Sequence, residues 1–386
     1  MEALRPFGSP ITWATFAIPK NSPDMPATTS TKVHNFSAGP CILPPEVFQK
    51  AAQAVLDLDG SGLSILEISH RSKPFEAIMA NARQLVKDLL DAPSHYETVF
   101  LGGGASMGFH LVPQNFMKPG GKGAYAHTGE WSKRAIKEAK IAGEAVVVAS
   151  SEDKNFNYIP KGFAIPGEAD YFHFTSNNTI YGTQYKQFPK SVVPMICDMS
   201  SDIFSRPVNV SDFALIYAGA QKNMGPAGAT MYLFNPEALG KTGRTLSPMM
   251  DLANHAAKDS MYNTPPVFPV YVSMLTLEWM KSNGGVAGIR KRNTAKAELL
   301  YSTVDRLPIF QGTTAKEDRS DMNATFILKD AALEPAFDEM WKAAGISGIR
   351  GHRSVGGYRA SMYNALPLES VMALTEVMEE FAKKNG

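Results

Sequence analysis

The strongest constraint on this chain is a succession of short apolar runs, each bounded by Gly, Pro, Asp or Ser. The runs "TVFL", "GAYAH", "AVVVAS", "YFHFT", "VVPMICD", "FALIYA" and "ATMYLF" read as strands buried on both faces. Segments of helical periodicity lie around them. "PPEVFQKAAQAVLDL" opens on prolines and repeats apolar residues four apart in two stripes, Val47–Ala51–Val55 and Phe48–Ala52–Leu56. Phe75 to Leu90 sets Ile78, Met79, Ala82, Leu85, Val86 and Leu89 on one face. Buried strands separated by helices predict an α/β fold, a mostly parallel sheet wrapped on both faces.

After about residue 285 the texture changes. "VAGIRKRNTAKAELLYSTVDRL" is a long amphipathic helix, "NATFIL" a strand, "AFDEMWKAAG" a helix and "ESVMALTEVMEEFAKK" a closing helix. At 386 residues the chain outgrows one small core. The expected division is a large domain over 33–285 and a smaller C-terminal α+β domain over 286–386, with 33–44 free to pack on the smaller one. Residues 1–32 mix prolines with hydroxyl side chains and show no sustained period, which predicts a disordered extension. They are poor in acids and rich in Ser and Thr, as organelle transit peptides are, but hold only one arginine, Arg5.

The 38 basic and 37 acidic residues leave a formal charge of +1, which gives no long-range pull toward nucleic acid or anionic membrane. No apolar stretch approaches the roughly 18 residues of a membrane span. Cys41 and Cys197 form neither a zinc spacing nor a disulfide framework, so a reducing, cytoplasmic setting is expected, or an organelle if 1–32 is a transit peptide. No metal site is expected.

Candidate chemistry gathers at the ends of the strands. Lys222 stands in "YAGAQKNMGPAG", where nearly every neighbour is small. It is either a solvated lysine in a loop or an amine that a flat, bulky group must reach. Asp198 ends "SVVPMICD", and open α/β sheets bind ligands at that edge; an aspartate there is equally a helix cap. "FLGGGASMGF" puts Gly102, Gly103 and Gly104 between a strand and a helix, suited to phosphate or simply to a tight turn. It fits neither the dinucleotide fingerprint nor a Walker loop. Trp131 in "HTGEWSKRA" is core filler or a stacking plate. "ISHRSK" supplies His70 and Arg71, and "GHRSVGGYRAS" supplies His352, Arg353 and Arg359: solvated surface, or clamps for anions. Taken together, amine, carboxylate, phosphate loop and aromatic plate are what pyridoxal 5′-phosphate requires, and the arginines suit an anionic substrate. The small residues around Lys222 would then give the cofactor room.

The ordered motifs "NFSAGPCILPPEV", "ISHRSKPFE", "GGGAS", "TGEWS", "YAGAQKNMGPAG", "MYNTPPVF" and "GHRSVGGYRASMYNA" resemble the phosphoserine aminotransferase family. The resemblance runs from about residue 33 to the C-terminus. It implies the aspartate-aminotransferase-like, fold-type-I architecture, with a mostly parallel seven-stranded sheet in the large domain. It implies that Lys222 bonds the cofactor aldehyde and Asp198 pairs with the pyridine nitrogen. Gly104, Ala105 and Ser106 match the phosphate loop, Trp131 the stacking residue, and Thr179 and Gln221 cofactor contacts. Asn263 and Thr264 match residues that reach the phosphate from a partner subunit, which implies a homodimer. Ser37, His70, Arg71, His352, Arg353 and Arg359 match the substrate side. Arg359 would clamp the α-carboxylate; His352, Arg353 and a partner's Arg71 would hold the substrate phosphate. Ala105 departs from the pattern, since some family members carry arginine there. The implied substrates are L-glutamate and 3-phosphohydroxypyruvate. An alanine–glyoxylate aminotransferase or a cysteine desulfurase on the same fold is the neighbouring reading, and a non-catalytic relative is the reading from another class.

Overall fold

All the apolar runs pair into one sheet. The computed structural model describes residues 33–386, so the extension expected over 1–32 lies outside the described residues. In chain order the elements are β1 (His34–Asn35), α1 (Pro45–Leu56), α2 (Lys73–Leu90), β2 (Glu97–Leu101), α3 (Gly104–Phe116), β3 (Lys122–His127), α4 (Glu130–Ala142), β4 (Glu144–Ser150), β5 (Tyr171–Thr175), β6 (Met195–Asp198), β7 (Leu215–Gly219), β8 (Thr230–Phe234), α5 (Leu252–Ala257), α6 (Val267–Ser282), α7 (Gly285–Arg306), β9 (Phe310–Gly312), β10 (Asn323–Leu328), α8 (Glu334–Ala343), β11 (Ile346–Ser347), β12 (Tyr358–Ser361) and α9 (Leu368–Asn385).

The large sheet has seven strands in the order β2-β8-β7-β6-β5-β3-β4. β3 to β7 are mutually parallel, whereas β8 runs antiparallel to both β7 and β2. Strands β5 to β8 are buried throughout, as their unbroken apolar character requires. Of the two edge strands, β2 and β4, β4 is the more accessible. Side-chain alternation divides the sheet between two layers. Phe100, Ala124, Ala126, Phe172 and Phe174 face α1, α2 and α6, while Val99, Leu101, Tyr125 and Tyr171 face α3 and α4.

A separate apolar core joins Phe36 and Ile42 to residues of α7, α8, α9 and the three-stranded antiparallel sheet β12-β10-β9. β1 reaches that region by pairing in parallel with β11.

α1 forms where its spacing predicts, and one of its two stripes is covered. Of the two stripes on α1, Val47 and Ala51 are buried together with Ala54, but Phe48 is 50% and Leu56 78% exposed. α1 lies against α6 along one line. Residues one position further round the helix turn away from that line, so only one stripe can be covered.

Burial ranks the strands above the outer helix in stability. Phe172→Ala, at a fully buried position, is expected to cost about 3–5 kcal/mol. Leu56→Ala should stay within about 0.5 kcal/mol of the parent. Chemical-denaturation midpoints of the two variants measure the contrast.

Candidate active site

The parallel register decides which side chains can meet. Thr175, Asp198 and Tyr217 stand level across β5, β6 and β7, so Asp198 marks the rim that β7 crosses just before Lys222. Because β2 is related to β7 through antiparallel β8, its C-terminal end opens on the same rim. Beyond β2, Gly103 and Gly104 take φ of +97° and +64° and turn the chain into α3; that backbone region favours glycine. No side chain caps α3, which leaves its first-turn N–H groups free for an anion. Beyond β3, the Ser132 hydroxyl accepts from the backbone N–H groups of Thr128 and Gly129, fixing the first turn of α4 and with it Trp131.

These elements enclose a cavity of about 430 Å³. Lys222 Nζ donates to Thr179 Oγ1 at 2.9 Å and lies 5.5 Å from the centroid of the Trp131 ring. The Arg359 guanidinium donates to the carbonyl of Thr179 at 3.2 Å. Asp198 Oδ1 accepts from the Ser200 amide at 2.9 Å and its hydroxyl at 2.6 Å. No protein donor among the described residues bonds Oδ2, although Asp198 is buried and lines the cavity.

The electrostatics follow from burial. Loss of water draws the Lys222 amine down to about 8; Asp198 opposes that shift and Arg359 adds to it. Burial raises the Asp198 carboxyl, while the Ser200 bonds and the nearby Lys222 hold it back. Arg359 is lowered by burial, yet a guanidinium stays charged at any working pH.

The set fits pyridoxal phosphate on observations of this site. An unbonded carboxylate oxygen, a near-neutral amine, an uncapped helix start and an indole plate all border one cavity. Thr175 Oγ1 and Trp131 Nε1 are buried there without partners.

Gly104, Ala105, Ser106, Trp131, Thr179, Asp198, Gln221, Lys222, His352 and Arg359 all line the cavity. The other residues singled out from the sequence do not. Ser37 packs on Gly348, whose Cβ, if present, would meet Ser37 Oγ at 2.5 Å. Arg71 is exposed and its Nε donates to His70 Nε2 at 3.4 Å. Arg353 is exposed in the loop after β11. Asn263 and Thr264 border a second cavity of about 350 Å³ with Gly102, Met107 and His255.

The small residues around Lys222 also prove to have another cause. In 217–228 only Gln221 and Lys222 line the cavity. Ala218 and Ala220 are fully buried, and a Cβ on Gly225 would sit 2.4 Å from Ser273 Oγ of α6. The small side chains let this turn dock on α6; they do not clear space for a ligand.

Sequence reasoning missed Thr175, Asn177, Ser200, Ser201 and Arg134, all on the cavity wall. Two carried a local signal. Ser200 follows Asp198 at the spacing of a side-chain turn, and Arg134 lies three residues after Trp131, which places its guanidinium 5.0 Å from the indole centroid.

The pattern of the family Aminotransferase class-V matches residues 33–374. A phosphoserine aminotransferase of Flavobacterium psychrophilum is 61% identical over 354 residues, which span 92% of this chain and 99% of that protein. Among solved structures, the phosphoserine aminotransferase of Bacillus circulans subsp. alkalophilus superposes with a TM-score of 0.89 at 42% identity, over 92% of this chain and 99% of that one. The PLP-bound phosphoserine aminotransferase of Trichomonas vaginalis gives 0.85 at 33% identity, over 90% and 100%. With this sheet, this cavity and these relatives, the chain belongs to the class-V aminotransferases, in the phosphoserine aminotransferase family.

Proposed function

We propose that this chain is a pyridoxal-phosphate-dependent transaminase. It moves the amino group of L-glutamate to 3-phosphohydroxypyruvate, giving O-phospho-L-serine and 2-oxoglutarate. The observation that carries the reading is one cavity holding the Lys222 amine and the free Asp198 oxygen between the Trp131 ring and the start of α3. The names of the relatives support the substrate pair.

When bound, the cofactor supplies an electron sink that makes the substrate Cα–H acidic. Lys222 would hold its aldehyde, Asp198 Oδ2 its ring nitrogen, Trp131 its face, and the N–H groups of 104–106 with the Ser106 hydroxyl its phosphate. Since Ala105 offers no side-chain donor, that anion leans on the backbone and on Asn263 and Thr264 of the partner subunit. Thr179 and Gln221 complete the polar edge. An amine drawn down to about 8 exchanges protons near neutral pH. Once the substrate amine takes its place at the aldehyde, the freed Nζ would take the proton from substrate Cα as base and return it as acid. Asp198 would keep a proton on the ring nitrogen by its charge. Arg359 binds the α-carboxylate through its planar fork. His352, Arg353 and Ser37, with His70 and Arg71 of the partner subunit, receive the γ-carboxylate or the phosphate.

A homodimer belongs to the proposal. It is supported by accessible Met249, which borders the same second cavity as Asn263 and Thr264, by accessible Tyr262 beside Asn263 in the chain, and by the position of Arg71 away from its own cavity. A division into lobes 33–285 and 286–386, with 33–44 on the smaller, is supported by the separate core around α7, α8 and α9. A cytoplasmic setting is supported by two free cysteines.

The desulfurase reading is disfavoured on geometry. Such chemistry needs a thiol that can reach substrate. Cys41 instead donates its thiol to the carbonyl of Lys222 at 2.5 Å, and Cys197 is fully buried.

Purified protein in a coupled assay with L-glutamate and phosphohydroxypyruvate tests the reading. Lys222→Ala should abolish turnover; full activity in that variant would remove the lysine from the mechanism. Loss of a buried charged partner costs on the order of 3–5 kcal/mol, so Asp198→Asn should lower kcat by roughly two to four decades. Arg353→Ala should raise KM for the phosphorylated keto acid by about ten- to a hundredfold, as expected for a lost charge-assisted bond, with cofactor affinity unchanged. An unchanged KM takes Arg353 off the substrate side.

The lowered amine has its own signature. Only the neutral amine attacks an aldehyde, so a lowered pKa shifts reactivity to lower pH. In the cofactor-free chain, reductive methylation of Lys222 followed by mass spectrometry should show a midpoint at about 8, against roughly 10.4 for an ordinary lysine. Asp198→Asn removes an opposing charge and should move the midpoint lower still.

A further inference from the structure

Where α7 packs on the segment that follows β12, the contact is polar. Asn293 and Lys296, three apart and therefore on one face of the helix, are each 1% exposed. Lys296 Nζ donates to the carbonyl of Met362 at 3.0 Å and to that of Tyr363 at 2.7 Å. Its charged or titratable neighbours are Cys41 and Arg292, and burial draws the amine down to about 7. Among the described residues no carboxylate pairs with it, and a buried lysine without one is rare and costly. The transamination chemistry above makes no use of it.

What Lys296 holds is the segment that leaves β12, the strand that carries Arg359. That segment is also bonded to Ala38, which lines the cavity, and to the residue after Lys222. The Tyr363 hydroxyl donates to the carbonyl of Ala38 at 2.9 Å and accepts from Asn323 Nδ2 at 3.3 Å. The amide of Asn364 donates at 3.0 Å to Oδ1 of Asn223, the residue after Lys222. Asn293 Nδ2 holds the Asn364 side chain at 2.9 Å. Tyr363, Asn364, Asn223 and Asn323 are all buried.

We propose that Lys296 is a positioning residue: by holding the carbonyls of Met362 and Tyr363, it sets Arg359, Ala38 and the Lys222 turn at fixed places around the substrate carboxylate. Hydrogen bonds to two adjacent carbonyls fix the strand end in both position and rotation, which an apolar contact does not.

Two variants of nearly equal length separate donors from bulk. Lys296→Met keeps the packing and loses the bonds; Lys296→Gln keeps a donor without the charge. In the holoenzyme, Lys296→Met should raise KM for L-glutamate on the order of tenfold, as for one displaced charge-assisted contact, with kcat within about threefold. Lys296→Gln should recover most of that loss. This kinetic arm rests on the transaminase reading, so a second arm needs no turnover. In substrate-free holoenzyme, amide hydrogen exchange in Lys296→Met should quicken in 177–182 and 221–225 as well as in 358–364. An inactive parent overturns the transaminase reading and leaves the exchange arm to decide this one. Parental KM, or faster exchange confined to 358–364, overturns the positioning role even if the melting temperature falls. Should Lys296→Met fail to fold, Lys296→Leu, which also lacks the donor, carries the test beside Tyr363→Phe, which loses only the hydroxyl contacts. Parental KM and exchange in Lys296→Leu, or, where that variant fails as well, in Tyr363→Phe, overturn the proposal.

Discussion

The site depends on an amine kept where water is scarce. Lys222 loses solvent on entering the cavity wall, and the protein replaces that solvent with one hydroxyl, at Thr179, and one nearby carboxylate, Asp198. The replacement is incomplete, and that incompleteness leaves the amine near neutrality. A fuller cage, with a carboxylate in direct contact, would hold the proton too tightly for the group to act as a base. Thr179 carries a second charge as well, since its carbonyl receives Arg359. One residue thus spaces two cations of the cavity, amine on the side chain and guanidinium on the backbone.

That spacing relies on the sheet. Thr175, Asp198 and Tyr217 are level because parallel ladders between β5, β6 and β7 allow no slip without moving every buried side chain to the wrong face. Both faces of these strands are packed, so the register is over-determined. The carboxylate of β6 and the lysine three residues beyond β7 inherit their separation from the backbone pairing and need no direct bond to each other.

How much of this was legible follows from the same physics. Strands buried on both faces must be apolar throughout, so "YFHFT" or "FALIYA" declares itself locally. Asp198 and Lys222 were legible because each lies at or just beyond the end of such a run, where an α/β sheet opens. Ser201 and Asn177 were not. Their place depends on a contact between chain segments far apart in sequence, Asn177 Nδ2 to Ser201 Oγ at 2.8 Å, and nothing in the local pattern announces it. Which stripe of α1 is covered was illegible for the converse reason. Helical periodicity shows which residues share a face, but not how much of that face a neighbour covers, and α6 leaves Leu56 in water. The turn around Lys222 looked like room for a ligand, because small residues serve close packing and open space alike until the facing helix is known.

The polar seam along α7 was equally hidden, since a lysine in an amphipathic helix is by default assigned to its solvated face. Its burial makes sense once the problem it solves is stated. Two apolar cores that meet through apolar contacts alone can slide by an ångström or more at little cost, because such contacts are non-directional. A site that must hold a guanidinium from one core against an amine from the other cannot tolerate that slack, as misplacement on this scale can cost two decades in rate. Directional bonds between buried groups remove the freedom, because each must be made in full or leave a donor stranded. Lys296, Asn293 and Asn364 form such a set: their bonds of 3.0 Å or less run to the stretch between Arg359 and the turn that holds Lys222, and two longer ones, at 3.4 Å, reach the carbonyls of Ser205 and Ile203.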